Sequence, residues 1–217
     1  MPVSEFHHEV ALIALRAAGQ HGFALGGGNA LIAHGVTDRP TEDVDLFTNH
    51  DDGVAAAAGA VEDALRAAGF TAERQDRAGG LAEVFYGMSD GLAEWIVTAP
   101  GGREMLLQLA YFDRDRAPVV MDVGPVLDLP DVVGGKVCAL ATRAEPRDYV
   151  DTAAALGRYT VDQLIGFARR LDPGLEDRDF RDAGRMLDRL EDEVFLRYGL
   201  TPADVGRMRA RLAAWPR

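Results

Sequence analysis

Asp43 and Asp45 stand one residue apart in an otherwise apolar stretch, "TEDVDLF", residues 41–47. On a strand, residues i and i+2 share a face, so the two carboxylates lie side by side. At about 4 Å and an effective dielectric near 20, two such charges repel by roughly 4 kcal/mol. A divalent cation is the usual compensation, although a bare pair at a sheet edge would look the same in isolation. The glycines upstream change the weighing. Gly26, Gly27 and Gly28 fall between a short apolar segment and a helical one. There the backbone can approach a ligand closely, and helix-start N–H groups favour an anion. A tight turn with no ligand is the bland alternative. Taken together, a phosphate cradle and a metal-binding carboxylate pair each supply what the other lacks, and both point to nucleoside triphosphate chemistry.

A second cluster lies near the middle of the chain, in "GGKVCALATRAEPRDYVDTAAAL", residues 134–156. Lys136 is the sole lysine, and the other 22 basic residues are arginine. A chain that otherwise uses arginine keeps a lysine where a compact, flexible ammonium is wanted, for instance on a phosphate. Asp148 and Asp151 are three apart and share a helix face. Either can orient an attacking hydroxyl or serve as a base; either can equally pair with Arg143 or Arg147. The histidines have no zinc-like spacing with the single Cys138, which leaves them structural or exposed.

These residues need elements to position them. Phe6, Val10, Ile13 and Ala17 form a helical stripe over residues 4–18. "FALGG" reads as a buried strand, "NALIAHG" as a helix opening after the glycines, "DRPTED" as a turn and "VDLFTN" as a strand. An alanine-rich helix follows at 53–68, stopped by Gly69. "LAEVFYGM", "LAEWIVTA" and "EMLLQLAYF" look like consecutive antiparallel strands, with Phe85, Tyr86 and Trp95 as core residues. From Leu129 onward the pattern is helical, and Thr201-Pro202 marks a helix start. The expectation is an α/β (α+β) lobe with a mixed sheet over residues 1–130, followed by a helical lobe over 131–217.

Charge is divided between these lobes. Residues 1–130 carry 8 basic and 20 acidic side chains, whereas residues 131–217 carry 15 of each. The net charge of −12 argues against loose, sequence-blind nucleic-acid binding. The arginine-rich second lobe can still present a local phosphate-binding face. Arg178, Arg181, Arg185 and Arg189 recur at three- and four-residue spacing there. No apolar run is long enough to span a bilayer and no signal pattern opens the chain, so a cytoplasmic location with no membrane association is expected.

Glycines, a short helix and then Thr-x-Asp-x-Asp resemble the nucleotidyltransferase superfamily with the polymerase-β-like palm. More narrowly, "FALGGGNALIAHG…RPTEDVDLF" resembles the AbiEii/AbiGii toxin group, which includes the MenT-type type IV toxin–antitoxin toxins of actinobacteria. The lysine followed by Arg-Asp-x-x-Asp is similar to the group's second signature, and the tail from Tyr159 to Trp215 is similar to its C-terminal helices. The resemblance implies that Gly27 and Gly28 hold a nucleoside triphosphate, with Asn29 beside them where members often carry Thr or Ser. It implies that Asp43 and Asp45 bind Mg²⁺ or Mn²⁺ with Thr41 alongside, and that Lys136, Asp148 and Asp151 belong to the catalytic set. Thr41 either caps its turn or, as the family suggests, is a site of inactivating phosphorylation. A third strand carboxylate, common in the superfamily, is not plainly placed; Asp113 and Asp122 are its candidates. The implied activity is transfer of a nucleoside monophosphate to the 3′ acceptor end of tRNA, blocking translation, with a dedicated antitoxin protein as partner. Transfer to a small hydroxyl compound of the antibiotic type, transfer to a partner protein, and a degenerate palm acting as a binding module are the alternatives.

Overall fold

The computed structural model describes residues 5–75 and 91–217. The expected strand at 81–88, with Phe85 and Tyr86, lies outside the described residues. The chain divides into two compact units. One is formed by the chain up to Ala33 and by Thr41–Leu127, the other by His34–Pro40 and Asp128–Arg217. Residues 34–40, inside the expected first lobe, thus group with the helices.

The first unit is built on a seven-stranded sheet in the order β3-β4-β5-β2-β1-β7-β6. Its strands are β1 (Ala24–Leu25), β2 (Asp43–Thr48), β3 (Thr71–Arg74), β4 (Leu92–Thr98), β5 (Glu104–Tyr111), β6 (Val119–Met121) and β7 (Gly124–Val126). The sheet is mixed: β2 runs parallel to β5 and β1 parallel to β7, while the other pairs are antiparallel. Strand alternation separates two faces. Val44, Leu46, Trp95, Val97, Leu107 and Leu109 are wholly buried on one of them. Helices α1 (Glu5–Ala17) and α3 (Gly53–Ala67) pack against the sheet. Each such side chain contributes roughly 1.5–3 kcal/mol on burial, which locks the register of β2 and so decides which way its aspartates point. Trp95 is a core residue, as its strand position suggests, and its indole N–H donates to Glu62 at 2.9 Å.

The short helix α2 (Gly27–Ala33) begins within the glycine cluster, two residues earlier than the sequence suggests. Gly27 holds a left-handed φ of 57°, which lets the chain leave β1 and turn at once into the helix. The β6–β7 hairpin also went unread from sequence, because three-residue strands carry too little alternation to be recognised.

The second unit holds α4 (Leu129–Thr142), α5 (Pro146–Ala155), α6 (Val161–Leu171), α7 (Asp177–Leu187), α8 (Glu193–Leu196) and α9 (Pro202–Arg211). Helix α4 packs on α5, α6 and α7. Gly134 permits the closest of these approaches, since a Cβ there would lie 3.0 Å from the Phe167 carbonyl oxygen. Val133, Val137 and Leu140 anchor α4 in this core. Helix α9 starts as expected at Pro202, with Thr201 capping the N–H of Asp204.

Candidate active site

The carboxylate strand is clamped against the glycine turn. A Cβ on Gly27 would fall 1.7 Å from Asp45 Oδ2, and one on Gly26 would fall 2.2 Å from a Phe47 ring carbon. Only glycine fits at either position, so the backbone of the turn lies directly on the face that carries Asp43, Asp45 and Phe47. The Gly26 N–H donates to the Asp45 carbonyl at 2.8 Å, and Asn29 Nδ2 donates to the Asp43 carbonyl at 2.7 Å. Gly27, Gly28, Asn29, Asp43 and Asp45 therefore form one group. Asp43 and Asp45 are half-buried on their shared face, and Thr41 lies two residues ahead, also half-buried.

The register of the sheet shows what flanks the pair. On β5, Leu106 stands opposite Asp43 and Gln108 opposite Asp45; on β4, Glu94 stands opposite Gln108. Asp45, Gln108 and Glu94 thus form a row across three strands on one face. Gln108 Nε2 donates to Glu94 Oε1, and Glu94 is almost fully buried. The neighbour of Asp45 on the parallel strand is a neutral amide, with a carboxylate one strand further on. Neither Asp113 nor Asp122 occupies this row. Asp113 follows the end of β5 that pairs with Thr48, and Asp122 sits in the β6–β7 turn. Among the described residues no group of three His, Cys, Asp or Glu side chains is arranged to hold a metal ion. Two half-buried carboxylates on one face nevertheless suit a hard divalent cation that keeps several waters. Sequence reasoning missed Gln108 and Glu94, although single polar residues in "EMLLQLAYF" and "LAEWIVTA" were a signal.

In the helical unit the second cluster is an ion-paired triad. Asp151 on α5 has its side chain wholly buried, and Lys136 Nζ on α4 lies 3.0 Å from its Oδ2. Arg39 grips the same carboxylate with two hydrogen bonds, Nε to Oδ1 at 2.6 Å and Nη2 to Oδ2 at 2.7 Å. Burial alone would push the Asp151 carboxyl up; the Lys136 ammonium and the Arg39 guanidinium reverse that and hold it below the ordinary carboxylate range. Arg39 is raised in turn: burial works against its charge, and the bond to Asp151 outweighs it. Lys136 keeps some access to solvent, with 15% of its side chain exposed. The triad holds two cations and one anion, a net positive charge fixed in place. Arg39 was not among the residues singled out from sequence, because a turn arginine 112 positions from its partner leaves no local trace.

Asp148 is equally buried but differently employed. Its oxygens accept from Arg143 Nε and Nη2, each at 2.9 Å, and from the Glu145 N–H at 3.2 Å, closing a capping box at the start of α5. Of the two roles open to it from sequence, the geometry shows the ion pair with Arg143. On α7, Arg185 pairs with Asp182 and Arg178 with Glu176 and Asp179. No helix among the described residues is long and apolar enough to cross a membrane.

A model of a protein family, the nucleotidyl transferase AbiEii toxin of type IV toxin–antitoxin systems, matches residues 11–213. Solved structures share the fold at low identity. JHP933 from Helicobacter pylori is 14% identical, with a TM-score of 0.59 over 97% of this chain and 92% of that one. MenT4, a nucleotidyltransferase toxin from Mycobacterium tuberculosis H37Rv, is 16% identical, with a TM-score of 0.57 over 94% of this chain and 80% of that one. No curated protein matches the chain.

Proposed function

This chain belongs to the AbiEii nucleotidyltransferase toxin family of type IV toxin–antitoxin systems, and from that premise we propose that it transfers a nucleoside monophosphate from a nucleoside triphosphate to the 3′ acceptor end of tRNA. The observation that carries this reading is the contact between the Gly27 backbone and Asp45 Oδ2, which leaves no room for any side chain between phosphate cradle and carboxylate pair. Asp43 and Asp45 are the residues that would hold Mg²⁺ or Mn²⁺. When bound, the ion would supply charge stabilisation at phosphorus and ease loss of the hydroxyl proton.

The protein's own groups do the rest of the work. The backbone N–H groups of Gly27 and Gly28 lie in the first turn of α2, where intrahelical bonding leaves them available to phosphate oxygens. Asn29 holds the β2 backbone at Asp43, which keeps the first carboxylate at a fixed height beside the second. In the helical unit, Asp151 and Arg39 fix Lys136, whose ammonium is the charge assigned to the triphosphate as it departs. Asp151, with both oxygens engaged, acts through Lys136 and is a positioning residue in this reading; Asp148 anchors α5 beneath it. Type IV membership also supports a protein antitoxin as partner. Thr41, half-buried and two residues from Asp43, is placed where a phosphoryl group would crowd the carboxylates.

A second acceptor class has one observation in its favour. Arg178 and Arg185 are matched by carboxylates on their own helix and its cap, which weakens α7 as a grip for RNA and favours a small hydroxyl compound. One experiment separates the two. Purified protein is incubated with Mg²⁺, each labelled nucleoside triphosphate in turn, and either total tRNA or an aminoglycoside. Label appearing in RNA with one nucleotide supports the tRNA reading. Label on the small molecule alone replaces it, and no transfer to either acceptor overturns both.

A further inference from the structure

A cavity of about 690 Å³ lies on the side of the sheet away from the carboxylates. Its walls include Leu25, Ile32 and Val123, and its polar lining includes Asn29, Glu5 and Asp122. Register gives the side. Leu25 pairs with Leu46, so the two point to one face, and Leu46 alternates with Asp45 on β2. The volume falls within the roughly 300–1,000 Å³ usual for small-molecule sites. The cavity is therefore separate from the triphosphate site, although both touch α2.

The polar groups are matched in kind. Asn29 is 1% exposed, and its Oδ1 has no hydrogen-bond partner among the described residues. The orientation of its amide follows from chemistry: the Asp43 carbonyl can only accept, so the NH₂ group must face it and the oxygen is left over. An acceptor left unsatisfied in an apolar site calls for a donor. Glu5 and Asp122 add two exposed carboxylates to the lining. A phosphate or carboxylate ligand would meet repulsion from both carboxylates and find no donor in the Asn29 side chain.

We propose that this cavity is a binding site for a small organic amine, an apolar body carrying a protonated nitrogen. The amine N–H donates to Asn29 Oδ1, the hydrocarbon packs on Leu25, Ile32 and Val123, and Glu5 with Asp122 selects positive charge. Because the same Asn29 amide holds the Asp43 backbone, occupancy is communicated to the carboxylate strand through one side chain.

The test uses phenethylamine as probe, with phenylacetate as the anion of matching size and 2-phenylethanol as the neutral donor. Binding is followed by the ε-methyl NMR signal of Met121, which also lines the cavity. Phenethylamine is expected to shift that signal saturably, 2-phenylethanol more weakly, and phenylacetate not at all. Ile32→Trp, which fills the cavity, is expected to abolish the shift. Glu5→Gln with Asp122→Asn is expected to weaken phenethylamine roughly fivefold, as befits exposed charges. No saturable shift with phenethylamine, an equal response to phenylacetate, or a shift that survives Ile32→Trp would each overturn the proposal.

Discussion

Four aspartates carry the candidate chemistry, and the two units treat them in opposite ways. In the sheet unit, Asp43 and Asp45 are half-buried and pressed against a glycine backbone. In the helical unit, Asp148 and Asp151 are buried, and each is gripped by an arginine. A half-buried like-charged pair is costly to the fold and useful only toward something that arrives from outside. A buried carboxylate between two cations is fixed, and its use is to hold those cations. The lesson is that one residue type at similar short spacing serves binding in one unit and positioning in the other.

If that contrast is right, the largest effect on stability belongs to Asp151. Asp151→Ala leaves Arg39 and Lys136 without their shared anion, and losing one partner of such a buried group costs about 3–5 kcal/mol. Guanidinium unfolding should show this directly; a loss below about 1 kcal/mol would mean that the triad is loosely held.

Asp43→Ala and Asp45→Ala should do the reverse. Each is expected to cut transfer by about 100- to 1,000-fold while unfolding free energy stays within about 0.5 kcal/mol of the parent. Near-normal turnover in either variant at saturating Mg²⁺ would remove the metal role from that residue and erase the contrast.

Asp148→Asn should fall between them on stability and far below them on activity. The amide can still accept at the cap, and the lost ion pair is with a half-exposed arginine, so about 1 kcal/mol is expected by denaturant titration. A collapse of transfer with little change in stability would instead make Asp148 part of the chemistry.

The smallest effect near neutrality concerns pH. The Asp151 carboxyl is held below its ordinary value of 3.8 in the folded protein. Between those two values the unfolded chain binds the extra proton, so stability rises with pH there. The contribution is complete above about 3.8 and is lost as pH falls toward the folded value. Subtracting the pH–stability curve of Asp151→Asn from that of the parent should give a flat line above pH 5 and a falling one below pH 4. A difference that slopes between pH 5 and 7 would contradict the assignment.

Much of this was legible in the linear chain. Alternation over "DVDLF" put Asp43 and Asp45 on one face, three glycines ahead of them marked a close backbone approach, and the sole lysine drew attention to Lys136. Those features are local: they follow from the two-residue period of a strand and from the missing Cβ of glycine, and need no knowledge of neighbours. Tertiary structure alone decided the rest. It set Gln108 and Glu94 in a row with Asp45, because strand order and register depend on which apolar faces find each other. It brought Arg39 to Asp151 across 112 residues, and so turned a candidate base into the anchor of Lys136. It left Asn29 with one amide group bonded and one acceptor waiting, a state that depends on three-dimensional neighbours. Hydrogen bonds and ion pairs form between groups adjacent in space, and a strand or helix period predicts adjacency only within its own few residues.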